Sequence, residues 1–201
     1  MTSNAHVLVP LKRLDRVKSR LAQTLTAAER AALMRSLLER VLSALRAAGV
    51  QQITIVTSEP LALDAAQTWH DHDLPWNDAL AAAIAEVVRE DVVAVISADL
   101  PFLGAADVTA LIEATPAHGI AIGRARDAGT NAVSMRPPGV LPTCFGERSS
   151  AALHAAGARA RRLACVTLDL PGLAFDVDTP ADLARMNTCA RMQPERREVR
   201  A

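Results

Sequence analysis

Two lysines, Lys12 and Lys18, stand six residues apart just after an apolar run, Val7-Leu8-Val9-Pro10, and Arg20 follows them. Flexible cations on a loop suit a polyphosphate. Three aspartates complete the pattern. Asp99 follows the apolar run Val92–Ile96, while Asp176 and Asp178 flank Val177, and on an extended backbone residues two apart point to one face. Hard carboxylate oxygens suit Mg²⁺, which takes one or two carboxylates plus substrate phosphates. Three acids facing a cationic loop therefore read as a magnesium–nucleotide site. The structural alternative is helix capping, because Asp99 precedes Leu100-Pro101 and Asp178 precedes Thr179-Pro180.

Other segments carry weaker chemistry. Gly129-Thr130-Asn131 can present backbone N–H groups to a phosphate or simply make a turn. Gly146 to Ser149, ahead of a predicted helix, can bind an anion at its N-terminus or supply an ordinary serine cap. His70-Asp71-His72-Asp73 has metal-ligand residue types, but adjacent polar residues in a loop are more commonly solvated. His6, His118 and His154 are isolated and read as structural or exposed. No Ser/His/Asp or Cys/His arrangement stands out.

Composition bounds the class. The chain has 201 residues, 50% hydrophobic and 22% charged, a globular balance with enough length for a core without disulfides. Its 22 basic and 22 acidic residues cancel, which argues against a bulk nucleic-acid binder. Twenty of the basic residues are arginines, and alanine fills 40 positions, so the two lysines stand out against an Arg/Ala bias. Cys144, Cys165 and Cys189 show no ligand spacing and read as small apolar filler in a reducing compartment. With no signal-peptide-like start and no apolar run of about 20 residues, the expected setting is cytoplasmic, away from membranes.

These groups need elements to position them. Val7–Pro10, Ile53–Val56 and Val92–Ile96 read as buried strands. Thr26 and Glu29 have capping-box spacing ahead of a leucine stripe that Gly49 ends. A short helix is predicted over Leu61–Gln67, irregular chain over Trp69–Trp76, and helices over Asn77–Arg89, Ala105–Ala114 and Ser149–Ala158. Ile120–Gly123, Asn131–Met135 and Leu163–Leu168 are further strands, and Thr179-Pro180 opens the last helix. The alternation predicts one three-layer α/β domain over residues 1–192, with a mostly parallel sheet, some antiparallel pairing late, and a frayed tail at 193–201.

Taken in order, VPLKRLDRVKSRL, SADLP, GTNA, FGERS and DVDTPADL resemble the CofC/FbiD family of guanylyltransferases, across residues 7 to 186. The resemblance implies a single-domain nucleotidyltransferase fold related to the Rossmann arrangement. It implies transfer of GMP from GTP to 2-phospho-L-lactate, phosphoenolpyruvate or 3-phospho-D-glycerate, releasing pyrophosphate, in coenzyme F-420 biosynthesis, with the product passing to the next enzyme of that pathway. By this resemblance Asp99, Asp176 and Asp178 match the Mg²⁺ acids. Lys12 matches a phosphate-binding lysine, and Lys18 and Arg20 lie near the triphosphate. Asn77 in PWNDAL is expected near the guanosine, and Thr130, Gly146 and Ser149 match acceptor-holding positions. The chain departs from the pattern at Trp76, in place of the usual leucine, and at Ser150, where many relatives carry Phe. A strand expected between Pro60 and Asn77 is hard to find. Two alternatives are a molybdenum-cofactor-type nucleotidyltransferase, which would want a glycine-rich loop where Leu11–Leu21 has no glycine, and a non-catalytic nucleotide-binding module, which would have lost the acids.

Overall fold

The computed structural model describes residues 4–14, 17–61 and 66–192. Seven strands, β1 (Ala5–Pro10), β2 (Gln52–Val56), β3 (Gln67–Trp69), β4 (Val92–Ile96), β5 (Gly119–Arg124), β6 (Thr130–Arg136) and β7 (Ala164–Leu168), form one sheet in the order β3-β2-β1-β4-β6-β5-β7. Every pairing is parallel except the two made by β6, which runs antiparallel to β4 and to β5. Among the described residues a 3₁₀ turn (Ser19–Leu21) and six α-helices accompany it: α1 (Ala27–Ala47), α2 (Trp76–Val87), α3 (Ala105–Glu113), α4 (Ser150–Ala160), α5 (Pro171–Ala174) and α6 (Pro180–Met192).

Alternation along the central strands splits the core into two layers. Val7 and Val9 of β1 join β2 and β4 residues under α1 and α3, while Leu8 faces the opposite cluster with Leu80 of α2 and Ala151 of α4. Covering both faces is what made the central strands read as continuous apolar runs. The stripe Leu37, Leu38, Val41, Leu42 and Leu45 of α1 is buried, and its N-terminus is held by the predicted box: Thr26 N–H donates to Glu29 and Glu29 N–H to the Thr26 hydroxyl. Gly49, at φ 79°, follows its end, in the left-handed conformation where glycine is least strained.

The Pro60–Asn77 stretch departs from expectation. Gln67, read as the end of a short helix, begins β3, and Trp69 belongs to β3 and Trp76 to α2 rather than to irregular chain. Three residues are too few to show a period, and only pairing with Thr54–Val56 of β2 makes them a strand. Positions 62–65 of the predicted helix lie outside the described residues, as does the tail expected to fray. Cys165 also differs from a buried filler, since it is exposed on the edge strand β7. Among the described residues no helix is long and apolar enough to cross a membrane.

Candidate active site

Parallel β1 and β4 are neighbours, so the chain leaves both at the same sheet edge: toward Lys12 and Lys18 from one, toward Asp99 from the other. Because β6 runs the other way, its first residues, Thr130 and Asn131, arrive at that same edge, and Ser97 N–H donates to the Asn131 carbonyl at 2.9 Å. Ligand sites of open α/β sheets lie outside such strand ends. A cleft of about 460 Å³ opens there, lined by Lys12, Lys18, Asp99, Thr130, Gly146 and Ser150 among others.

The segment carrying Asp176 and Asp178 is pinned from several directions. Phe175 and Val177 are buried, which turns the alternate acids outward to the cleft. Asn131 Nδ2 donates to the Leu173 carbonyl at 2.9 Å and to Asp176 Oδ1 at 3.4 Å. Arg126 stacks over the Phe175 ring at 4.3 Å and donates to Asp182. Asp182 in turn accepts from the N–H groups of Asp178 and Thr179, at 3.2 and 2.8 Å. Those bonds hold the Asp182 carboxyl down at about 2: although burial works against its charge, the Thr179 and Arg126 bonds outweigh it.

Capping therefore belongs to other residues than the two acids first suspected. Thr179 and Asp182 make the reciprocal bonds at the start of α6. For α3 the cap position is Gly104, whose N–H donates to Asp107 at 2.9 Å. Asp99 and Asp178 are left for the cleft, where they join Asp176 with one carboxylate oxygen each, all within 4.8 Å of one another. Burial, then the charges of Asp99 and Asp178, push the Asp176 carboxyl up to about 6. A cluster of hard oxygen donors under mutual repulsion fits a divalent cation.

Lys18 answers part of that repulsion. From a left-handed backbone (φ 52°) its ammonium donates to Asp99 and, at 2.8 Å, to Asp178 Oδ1. Burial opposes its charge, yet the two carboxylates win and raise its pKa. Arg20, 72% exposed, reaches Asp178 Oδ2 at 3.5 Å, and exposed Lys12 sits 5.3 Å over the Trp76 ring. The cationic loop and the acids thus share one cleft.

Two expected contacts are placed differently. Asn77 does not line the cleft, because its amide grips the loop beyond it: Oδ1 accepts from the Phe145 N–H and the Thr143 hydroxyl, and Nδ2 donates to the Phe145 carbonyl. Ser149 is exposed at the N-cap of α4 in a left-handed conformation (φ 54°) and its side chain makes no capping bond. Ser150, 1% exposed, lines the cleft in its place. The His70–Asp73 loop satisfies itself, with the His72 and Asp73 N–H groups donating to His70 Nδ1 and Asp71 Oδ1. Sequence reasoning gives no role to Arg126 or Asp182, and reads Asn131 only through its backbone, not through the side chain that grips Leu173 and Asp176. Thr179 and Asp182 have capping-box spacing, but the bonds Arg126–Asp182 and Asn131–Leu173 join residues more than forty positions apart, which no local pattern shows.

A parallel sheet with one reversed strand, and acids and cations above its strand ends, defines the nucleotidyltransferase class. A nucleotidyl transferase from Methanothermobacter thermautotroptrophicus shares this fold with a TM-score of 0.67 at 16% identity, over 94% of this chain and 99% of that one. The chain belongs to the family described as guanylyl transferase CofC like, which it matches over residues 5–189. It is 40% identical to the phosphoenolpyruvate guanylyltransferase of Sphaerobacter thermophilus, covering 89% of this chain and 90% of the relative. To the 3-phospho-D-glycerate guanylyltransferase of Phenylobacterium zucineum it is 34% identical, covering 89% and 88%.

Proposed function

We propose that the protein transfers GMP from GTP to the phosphate of a phosphorylated three-carbon acid, releasing pyrophosphate, as a step of coenzyme F-420 biosynthesis in the cytoplasm. The observation that carries this reading is the one cleft that three carboxylates and three cations line together with Thr130, Gly146 and Ser150. Both kinds of acid named for the relatives, phosphoenolpyruvate and 3-phospho-D-glycerate, present a phosphate and a carboxylate, as does 2-phospho-L-lactate.

In this reading Asp99, Asp176 and Asp178 would hold Mg²⁺, which would supply positive charge to neutralise phosphate oxygens of the triphosphate. Lys12, Lys18 and Arg20 bind the triphosphate and draw charge toward the departing pyrophosphate. Thr130, Gly146 and the start of α4 hold the acid. Asn77 contributes by fixing the Phe145 loop that borders the cleft, and Trp76 covers the nucleoside end. An oxygen of the acceptor's own phosphate forms a bond to the α-phosphorus of GTP, and the bond from that phosphorus to the α–β bridging oxygen breaks. The attacking oxygen is already anionic, so no side-chain nucleophile is needed and positioning and charge stabilisation carry the rate.

Mass spectrometry of products from GTP with each acid and Mg²⁺ tests the proposal. A product of GMP joined to the acid, with equal pyrophosphate, is expected. Binding of GTP with no such product from any acid would identify a non-catalytic module instead.

A further inference from the structure

His154 of α4 is 1% exposed, and each of its ring nitrogens meets a partner that can play only one role. The backbone N–H of Cys144 lies 3.1 Å from Nε2 and can only donate, so Nε2 presents its lone pair. The carbonyl of Ser150 lies 2.9 Å from Nδ1 and can only accept, so Nδ1 carries the proton. The two constraints agree on the neutral Nδ1–H ring. Burial also lowers the pKa of His154, and a second proton on Nε2 would face the Cys144 N–H.

The same Nδ1 lies 3.1 Å from the hydroxyl of Thr130. The one Nδ1–H is then shared between the Ser150 carbonyl and the Thr130 oxygen, both of which accept, and the Thr130 hydroxyl's own proton must turn elsewhere. Thr130 lines the cleft, and its hydroxyl has no other protein partner among the described residues. The geometry points to His154 as a positioning residue that, from its Nδ1–H tautomer, turns the Thr130 hydroxyl proton into the cleft as a donor to the acceptor acid's anionic groups. This rests on the reading of Thr130 as an acceptor contact. It also removes a tempting alternative, for a ring already protonated at Nδ1 cannot serve as base to a Thr130 nucleophile.

The Cys144 bond gives His154 a second handle on the site. The same ring stacks edge-on against Phe145 at 5.7 Å, so the loop leading to Gly146 and the hydroxyl of Thr130 are set by one side chain.

The test combines tautomer and kinetics. Long-range ¹H–¹⁵N spectra of histidine-labelled protein, with His154 assigned by its loss in His154→Asn, should show Nδ1 protonated and Nε2 bare. His154→Leu should raise the KM for the acid about tenfold, the equivalent of one hydrogen bond to a charged group, with the KM for GTP unchanged. In a Thr130→Val background the same change should add less than about twofold, because the route through Thr130 is already cut. If His154→Leu folds poorly, two polar variants decide: His154→Asn restores a donor near Nδ1 and should keep the acid KM, whereas His154→Gln, reaching toward Nε2, should not. An Nε2–H ring, additive effects in the cycle or the reverse ranking would overturn the inference. Because the tautomer is read without substrate, a protein with the Nδ1–H ring that transfers GMP to no acid counts against the proposed function rather than against this ring assignment.

Discussion

The ammonium of Lys18 lies 2.8 Å from Asp178 Oδ1, 160 residues away in sequence, and donates to Asp99 at the same time. A loop cation is thereby inserted among the acids that would hold a metal. Removing it should leave the carboxylates facing one another. We expect Lys18→Ala to lower stability in chelator by about 1–3 kcal/mol, less than for a fully buried pair because Asp178 is 44% exposed. Mg²⁺ should then raise its melting temperature more than that of the unaltered protein, since the ion no longer competes with an ammonium. Scanning calorimetry with and without Mg²⁺ measures both. Equal metal-induced shifts in the two proteins would show that Lys18 and the metal do not share the acids.

Asp178 and Asp182 separate chemistry from framework. Asp178→Asn should keep the fold, because Thr179 and Asp182 cap α6, yet lose pyrophosphate release by about 10²-fold or more. Asp182→Ala removes the bonds to the Asp178 and Thr179 N–H groups and should cost about 1–2 kcal/mol of stability in addition to activity. Urea melts beside a pyrophosphate assay separate the two. Near-normal turnover in folded Asp178→Asn would remove that residue from the metal site.

Lys12 reports on the nucleotide. Its ammonium sits 5.3 Å over the Trp76 ring, so drawing it to a triphosphate should change Trp76 emission on GTP binding. Trp69→Phe leaves Trp76 as the single tryptophan for that titration. Lys12→Ala should abolish the response and raise the KM for GTP about tenfold with little change in melting temperature, as expected for one charged contact on an exposed loop. A large loss of stability would instead make Lys12 a structural residue.

Ser150 bears on the acceptor. It lines the cleft wall and is 1% exposed, so the bulk and polarity of this one side chain bear on the room left there. A pocket for 3-phospho-D-glycerate must satisfy an extra hydroxyl, whose burial without a partner costs about 1–3 kcal/mol. We expect the enzyme to use this acid at least as well as 2-phospho-L-lactate, and Ser150→Phe to depress it selectively. Competition assays that show the same acid preference before and after the substitution would refute this role.

His6 sets an acid limit on the fold far from the cleft. It is buried, with Nδ1 donating to Glu90 at 3.2 Å and Nε2 accepting from the Thr54 hydroxyl at 2.8 Å. Burial lowers its pKa, against the pull of Glu90. A histidine whose pKa falls on folding stabilises fully above its unfolded value, 6.5, and loses that contribution as pH drops through the lower folded one. Urea midpoints should therefore decline below about pH 6.5, and His6→Gln should flatten part of the decline. An identical slope in the variant would assign the acid sensitivity elsewhere.

Local patterns were enough to place much of this molecule. The Thr26–Glu29 box, the leucine stripe of α1 and the unbroken apolar runs of β1 and β4 follow from helix caps and two-sided burial, which act over a few residues. The spacing of Asp176 and Asp178 also forced both onto one face, because Val177 between them is apolar. Tertiary structure decided what depends on distant partners. It made Gln67–Trp69 a strand through pairing with β2, reversed β6 so that Thr130 and Asn131 reach the site, and put Ser150 rather than Ser149 in the cleft. It also gave the Asn77 amide its bonds to Thr143 and Phe145, and made His154 a neighbour of Thr130. Hydrogen-bond partners and burial are properties of the packed chain, and no spacing along the sequence encodes which nitrogen of a buried ring will meet a donor.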